Sequence, residues 1–127
     1  MPIFEGRIAP VHEDQRRSIS ACNSPEGGFS IQSFVIKERI PLGNHYHAEK
    51  EETFIVYGTG ELRTCDIDRS GSPIGPVQTH AITSESVYHI KPFTAHTFLL
   101  DLGSRMICFS SKPFYKNDKD MWPHKLV

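Results

Sequence analysis

The chain has 127 residues, with 14 lysines and arginines against 15 aspartates and glutamates and a formal net charge of −1. Such a length suits one domain with a real core, and the balanced charge leaves no basic field to track a phosphate backbone, so nucleic acid is not an expected partner. The longest apolar runs, such as Phe54-Ile55-Val56-Tyr57 and Phe98-Leu99-Leu100, fall far short of the about 20 residues needed to cross a bilayer, so no membrane span is expected.

The opening, Met1-Pro2-Ile3-Phe4-Glu5-Gly6-Arg7, has neither the basic stretch and apolar core nor the small-residue cleavage site of a signal peptide, and a cytoplasmic protein is expected. Residues 1–17 mix charge with little alternation. A strand there would be an extension of the main sheet, and exchanging it between copies is a low-cost route to a homodimer. Short β-rich runs then recur at 18–21, 29–40, 45–48, 52–57, 61–66, 77–82, 87–90, 96–100 and 105–110, at roughly the 8–12-residue spacing of a sandwich or barrel. Segments 41–44, 58–60, 68–75, 83–86, 91–94 and 102–104 supply Gly, Pro, Asn, Asp or Ser for the turns between them. The tail holds Phe114, Tyr115, Met121 and Trp122 among Lys and Asp residues, and it is expected to pack aromatic area on the barrel as irregular turns.

Helical periodicity is nearly absent, so the expected fold is all-β. Open sheet edges invite pairing with other chains; closing or doubling the sheet removes them, and the irregular loop lengths favour a jelly roll over an up-and-down barrel. One domain, 1–127, is expected, with a barrel core over about 18–111 and a tail over 112–127. Cys22, Cys65 and Cys108 are odd in number and lack any Cys-x-x-Cys spacing, which argues against a disulfide framework and a thiolate zinc site. Cys108, between Ile107 and Phe109, is the best placed for burial.

One constellation asks for a chemical explanation: His45-Tyr46-His47, then Glu52, and much later Pro92-Phe93-Thr94-Ala95-His96. Residues two apart on a strand share a face, so His45 and His47 project together and Tyr46 opposes them. A hairpin across 48–51 would bring Glu52 beside them, giving three ligands from one hairpin. His96 opens a later strand that a barrel can set alongside. Imidazole and carboxylate together suit one divalent metal ion, zinc, iron, manganese, nickel or cobalt, and the ligand types do not select among them. The competing reading is a chance pair on an exposed strand, since seven histidines are spread over the chain, but it does not account for a carboxylate and a third histidine at barrel-compatible positions.

The run from Leu42 to Leu62, containing Gly43-Asn44-His45-Tyr46-His47 and Glu51-Glu52-Thr53-Phe54 before Gly58-Thr59-Gly60, resembles the first motif of the cupin superfamily. Ile90-Lys91-Pro92-Phe93-Thr94-Ala95-His96-Thr97-Phe98 resembles the second. The resemblance implies a cupin-type jelly-roll β-barrel and metal ligation by His45, His47, Glu52 and His96. Counting forward from His47 selects Glu52 and counting back from Gly58 selects Glu51; the Glu-x-Phe pattern favours Glu52, with Glu51 its substitute. Arg39 and Phe93 stand where the motifs commonly carry glycine, and Leu100 where an asparagine is common.

Gly43 to His47, with the upstream Asp14-Gln15-Arg16-Arg17-Ser18-Ile19, is similar to the cupins of bacterial capsule and deoxysugar biosynthesis. This implies an enzyme that isomerises or epimerises a keto sugar or nucleotide-linked sugar through an enediol-type intermediate, with a base poised near neutrality and a group to hold the oxyanion. Metal-free sugar cupins use an equivalent histidine, so His45, His47 and His96 are candidate catalytic residues as well as ligands; Glu52 and His96 favour the metal. A metal-dependent dioxygenase and a non-catalytic sugar- or effector-binding module are the other readings. Lys37, Arg39, Tyr57, Tyr88 and Phe98 are candidates for the substrate pocket, although charged strand residues usually face water. Of Tyr88 and His89, opposite in strand parity, one is expected to face inward, while His12, His80 and His124 are expected to be solvated.

Overall fold

The computed structural model describes residues 5–24, 28–113 and 119–127; Phe114 and Tyr115 of the tail lie outside them. Eleven strands follow in chain order: β1 Ala9–Glu13, β2 Arg17–Asn23, β3 Ser30–Ile36, β4 Leu42–Tyr46, β5 Glu52–Tyr57, β6 Gly60–Ile67, β7 Pro73–Ile82, β8 Ser86–Ile90, β9 Thr94–Leu100, β10 Arg105–Ser110 and β11 Trp122–Pro123. No helix occurs among the described residues, so none is long and apolar enough to cross a membrane.

The strands form two antiparallel sheets, one ordered β1-β2-β3-β10-β5-β8 and the other β11-β4-β9-β6-β7. This is an all-β jelly roll. Among the described residues no strand pair joins the two sheets, so it is a double sheet and not a hydrogen-bonded closed barrel. Period-2 alternation sets the inner face: Ser30, Gln32, Phe34 and Ile36 on β3, Glu52, Phe54 and Val56 on β5, and Met106, Cys108 and Ser110 on β10 are all buried. Phe98 and Leu100 of β9 and Leu62 of β6 meet them from the other sheet to form the main core. Burying the Phe, Leu, Ile, Val and Met side chains of this core contributes about 1.5–3 kcal/mol each, and Cys108 is fully buried as its apolar neighbours suggest.

Several boundaries differ from the sequence expectation, each for a physical reason. The run expected over 29–40 stops at Ile36, because the Lys37 and Glu38 amides turn away to donate to Arg16 O at 2.8 and 3.1 Å. Pro73 and Pro76, expected in or beside a turn, lie in β7, a strand at the edge of its sheet, where a residue without an N–H is tolerated. The N-terminal segment does form a strand, β1, and it pairs with β2 of its own chain.

The most consequential difference lies at 41–44, expected as a turn. The strand already begins at Leu42, and a β-bulge follows: Gly43 pairs with Thr97 and His45 with His96, leaving Asn44 as the extra residue. Asn44 takes φ 56° and Gly43 φ 129°. That extra residue reverses the strand parity, so Leu42 and His45 face the same interior although they are three apart. A Cβ on Gly43 would meet His96 O at 2.5 Å, so only glycine lets β4 approach β9 this closely.

Gly43→Ala is therefore expected to lower stability by more than about 1 kcal/mol, measured by urea unfolding. Gly28→Ala, whose Cβ meets nothing nearer than 3.9 Å, is the control and should stay within about 0.5 kcal/mol of the parent.

Candidate metal centre

Four side chains converge between the sheets. His45 and His96 are cross-strand partners on β4 and β9 of one sheet, and Glu52 opens β5 of the other. His47 lies one residue past the end of β4. The expected hairpin is thus corrected: β4 and β5 are in different sheets, and the segment between them crosses the gap. Glu52 meets the histidines across the interior because a chain that changes sheets turns both inner faces toward one another.

The ligand atoms of the four residues lie within 4.8 Å of one another. The His45 ring centroid is 4.7 Å from that of His47 and 4.8 Å from that of His96. Glu52 Oε1 is 2.9 Å from His47 Nε2 and 3.6 Å from His96 Nε2. His47, Glu52 and His96 are 3, 6 and 2% exposed, and His45 is half-buried. Glu51 stays outside, where it accepts from the exposed His89 at 3.2 Å, which separates the two glutamates left open by the spacing.

Second partners orient these rings. His47 Nδ1 donates to Asp120 O at 2.5 Å, and His96 Nδ1 donates to Thr94 O at 3.0 Å, so each ring turns its Nε2 toward Glu52. His47 Nε2 and Glu52 Oε1 are buried, and neither has a hydrogen-bond partner despite their 2.9 Å separation. With His47 neutral these are two acceptors facing each other in a dry site, and they repel. A cation among them removes that conflict, and three imidazoles with one carboxylate form a donor set for a divalent metal. The residues present fit such an ion.

The protonation states agree. Burial pushes the His45 imidazole down to about 3, helped by the charges of His96 and His47. Burial likewise lowers His96. For Glu52, burial acts upward, but the facing His47, then His96 and Lys50, outweigh it and hold the carboxyl at about 2. Metal ligation needs neutral imidazole and ionised carboxylate, and His45, His96 and Glu52 are poised that way. The Cys108 thiol donates to Glu52 Oε2 at 3.5 Å and is kept protonated, first by burial and then by the Glu52 charge.

The cluster opens on a cavity of about 260 Å³ whose walls include Ile19, Phe34, Leu42, Phe54, Phe98 and Met121. Of the pocket candidates, Phe98 lines this cavity. Tyr88 packs on Phe98 in the core, with ring centroids 6.3 Å apart, and its neighbour His89 faces out. Tyr57 is exposed. Lys37 pairs with Glu13 at 3.2 Å and Arg39 with Asp101 at 3.1 Å, both beyond the end of β3 and off the cavity wall. His12 and His80 are exposed, on Asp14 and Thr64 respectively, and His124 is half-buried beside Asn44.

Three contributors were not signalled by motif spacing. Lys50, read as part of a connection, is buried and lines the cavity, as does Gln32 of β3. Asp120 holds the segment between His47 and Glu52: its carboxylate accepts from the amides of Ala48 at 2.7 Å and of Glu49 and Lys50 at 3.0 Å. The tail continues as β11, paired with Tyr46 and His45, and Trp122 stacks on Tyr46 with centroids 6.4 Å apart. Asn44, the bulge residue, accepts at Oδ1 from the Leu126 amide at 2.9 Å. The tail expected to pack rings on the barrel thus also clamps the strand that carries two ligands.

The double sheet and its interior cluster define a protein of the cupin fold, and similar solved structures share that fold. CapF from Staphylococcus aureus, described as a capsular polysaccharide assembling protein, superposes with a TM-score of 0.70 at 19% identity, over 98% of this chain and 33% of that one. Ectoine synthase from P. lautus gives a TM-score of 0.64 at 17% identity, over 90% of this chain and 80% of that one. Oxalate decarboxylase from Bacillus subtilis gives 0.65 at 12% identity, over 91% and 30% of the two chains. This chain spans about a third of the CapF chain. No family model matches the sequence, and neither does any curated protein sequence.

Asp120→Ala removes the clamp but no ligand. It is expected to weaken metal affinity by about 10–100-fold, measured by competition with a chromophoric chelator, with the strand signature in far-UV circular dichroism retained.

Proposed function

We propose that the chain is a metal-binding cupin that isomerises or epimerises a small carbohydrate-derived substrate, a keto sugar or nucleotide-linked sugar. The observation that carries this reading is the buried His45, His47, Glu52 and His96 cluster at the base of a cavity large enough for a small molecule. The likeness to a capsular polysaccharide assembling protein over nearly the whole chain supports the carbohydrate part. The donor set supports one divalent ion.

When bound by these four residues, the ion supplies Lewis-acid polarisation of a carbonyl oxygen. The chain's own residues supply the rest. Phe54 and Phe98 exclude water from the cavity walls, which strengthens every charge interaction inside. His45, the least covered of the four, faces the cavity. Without the ion, an imidazole among His45, His47 and His96 is the base that takes the proton from the carbon beside the carbonyl and returns it to the neighbouring carbon or the opposite face. The Lys50 side chain brings positive charge toward the oxyanion of that intermediate. A homodimer in the cytoplasm is the setting we propose for it.

Protein purified without a histidine tag and incubated with zinc, iron, manganese and nickel salts should retain about one metal ion per chain by elemental analysis. His47→Ala and His96→Ala should retain less than a tenth of that; a wild type empty after all four salts would refute the metal reading. With a panel of nucleotide-linked keto sugars in heavy water, mass spectrometry should show solvent deuterium at carbon. Oxygen uptake without deuterium would identify a dioxygenase instead, and ligand held unchanged would identify a binding module.

A further inference from the structure

The described lining of the cavity carries cationic side chains. Among the described lining residues Glu52 is the carboxylate, and Arg17 and Lys50 are cations. A divalent ion on the four ligands adds two further positive charges. A pocket of that sign selects anionic ligands.

Arg17 is the informative member. It shares the parity of Ile19 and Ala21 on β2, so its side chain is directed toward the interior. Its backbone N–H donates to Asp14 Oδ1 at 2.9 Å, while the other Asp14 oxygen is occupied by His12 and by the Arg16 side chain. The Arg17 guanidinium itself has no hydrogen bond or ion pair with any described residue, and its Nε is fully buried. A guanidinium drawn partly out of water without a partner is unfavourable, and it is a planar fork shaped for two oxygens of a carboxylate or phosphate.

A second polar group is left open on the same wall. Gln32 is 7% exposed, lines the cavity, and its side-chain amide forms no hydrogen bond with any described residue. The register places the two at different depths. Gln32 sits opposite Cys108, next to the Ser30–Ser110–Glu52 rung, whereas Arg17 is opposite Ile36 at the far end of β3. A line of polar groups runs from the metal cluster past Gln32 to Arg17, between apolar walls.

We infer that the cavity binds an elongated ligand whose anionic oxygen group, a carboxylate or a phosphate ester, is held by Arg17, with Gln32 bonding an oxygen midway and the reacting end at the His/Glu cluster. The inference rests on the metal-site reading and adds to it the charge and polarity of the substrate.

The test is isothermal titration of the zinc-incubated protein with inorganic phosphate, malonate, uridine diphosphate and uncharged glucose. At least one anionic probe should bind, and Arg17→Gln should weaken it at least tenfold without changing metal content, melting temperature or any glucose binding. Arg17→Lys, which keeps the charge but loses the fork, should bind with intermediate affinity, and it serves the test should Arg17→Gln not fold. Gln32→Leu should weaken the same probe less. The probe that binds separates phosphate from carboxylate. Absence of anion binding at millimolar concentration, or wild-type affinity in Arg17→Gln or in Arg17→Lys, would overturn the inference. If the wild type takes up no metal, the function proposed above fails, and the same titrations on the metal-free protein still decide the role of Arg17.

Discussion

A carboxylate buried between two sheets is the constraint around which the site is arranged. Glu52 sits in a dry interior facing Nε2 of His47 and His96, with the Cys108 thiol on its second oxygen. An ionised group taken out of water is costly unless it is paired or ligates a cation. A divalent ion satisfies Glu52 and all three histidines at once. An ion that relieved the buried charge would also be a Lewis acid, so the stability of the site and the chemistry proposed for it would share one arrangement.

That arrangement depends on two local departures from regular structure. The bulge at Gly43 and Asn44 turns His45 inward opposite His96, and the tail locks the bulge from outside through Asn44 Oδ1. Asp120 then fixes the segment from Ala48 to Lys50 by its carboxylate and the His47 ring by its carbonyl. Without such clamps a loop crossing from one sheet to the other would be free to move its ligand by an ångström or more, enough to spoil ligation. The tail thus acts as part of the centre's outer shell, and none of its described side chains belongs to the four.

The cavity above the centre adds selectivity. Its walls are largely apolar, and among the described residues the open polar groups of Gln32 and Arg17 follow one another along it. Such a surface favours a ligand with polarity at both ends and distinguishes it from a neutral sugar of the same volume. The cupin fold is shared by proteins as different as CapF, ectoine synthase and oxalate decarboxylase, so the fold alone selects no reaction. The residues around the cluster must do so.

The amino-acid sequence by itself determined the all-β class, most of the strands, and the histidines of the cluster. These follow from short-range rules: period-2 alternation marks the inner faces of β3, β5 and β10, and His45 and His47 lie two apart on one face. Only the tertiary structure decided that Glu52 and not Glu51 enters the cluster, that it arrives from the opposite sheet and not by a hairpin, and that β4 begins before its glycine. It alone brought in Asp120, Lys50, Gln32 and Arg17, and turned Lys37 and Arg39 away to surface ion pairs. The reason is physical. Strand parity and turn chemistry are properties of a few neighbouring residues, whereas the crossing of a chain between sheets, or a carboxylate gripping amides some 70 residues away, is set by packing and leaves no local pattern to read.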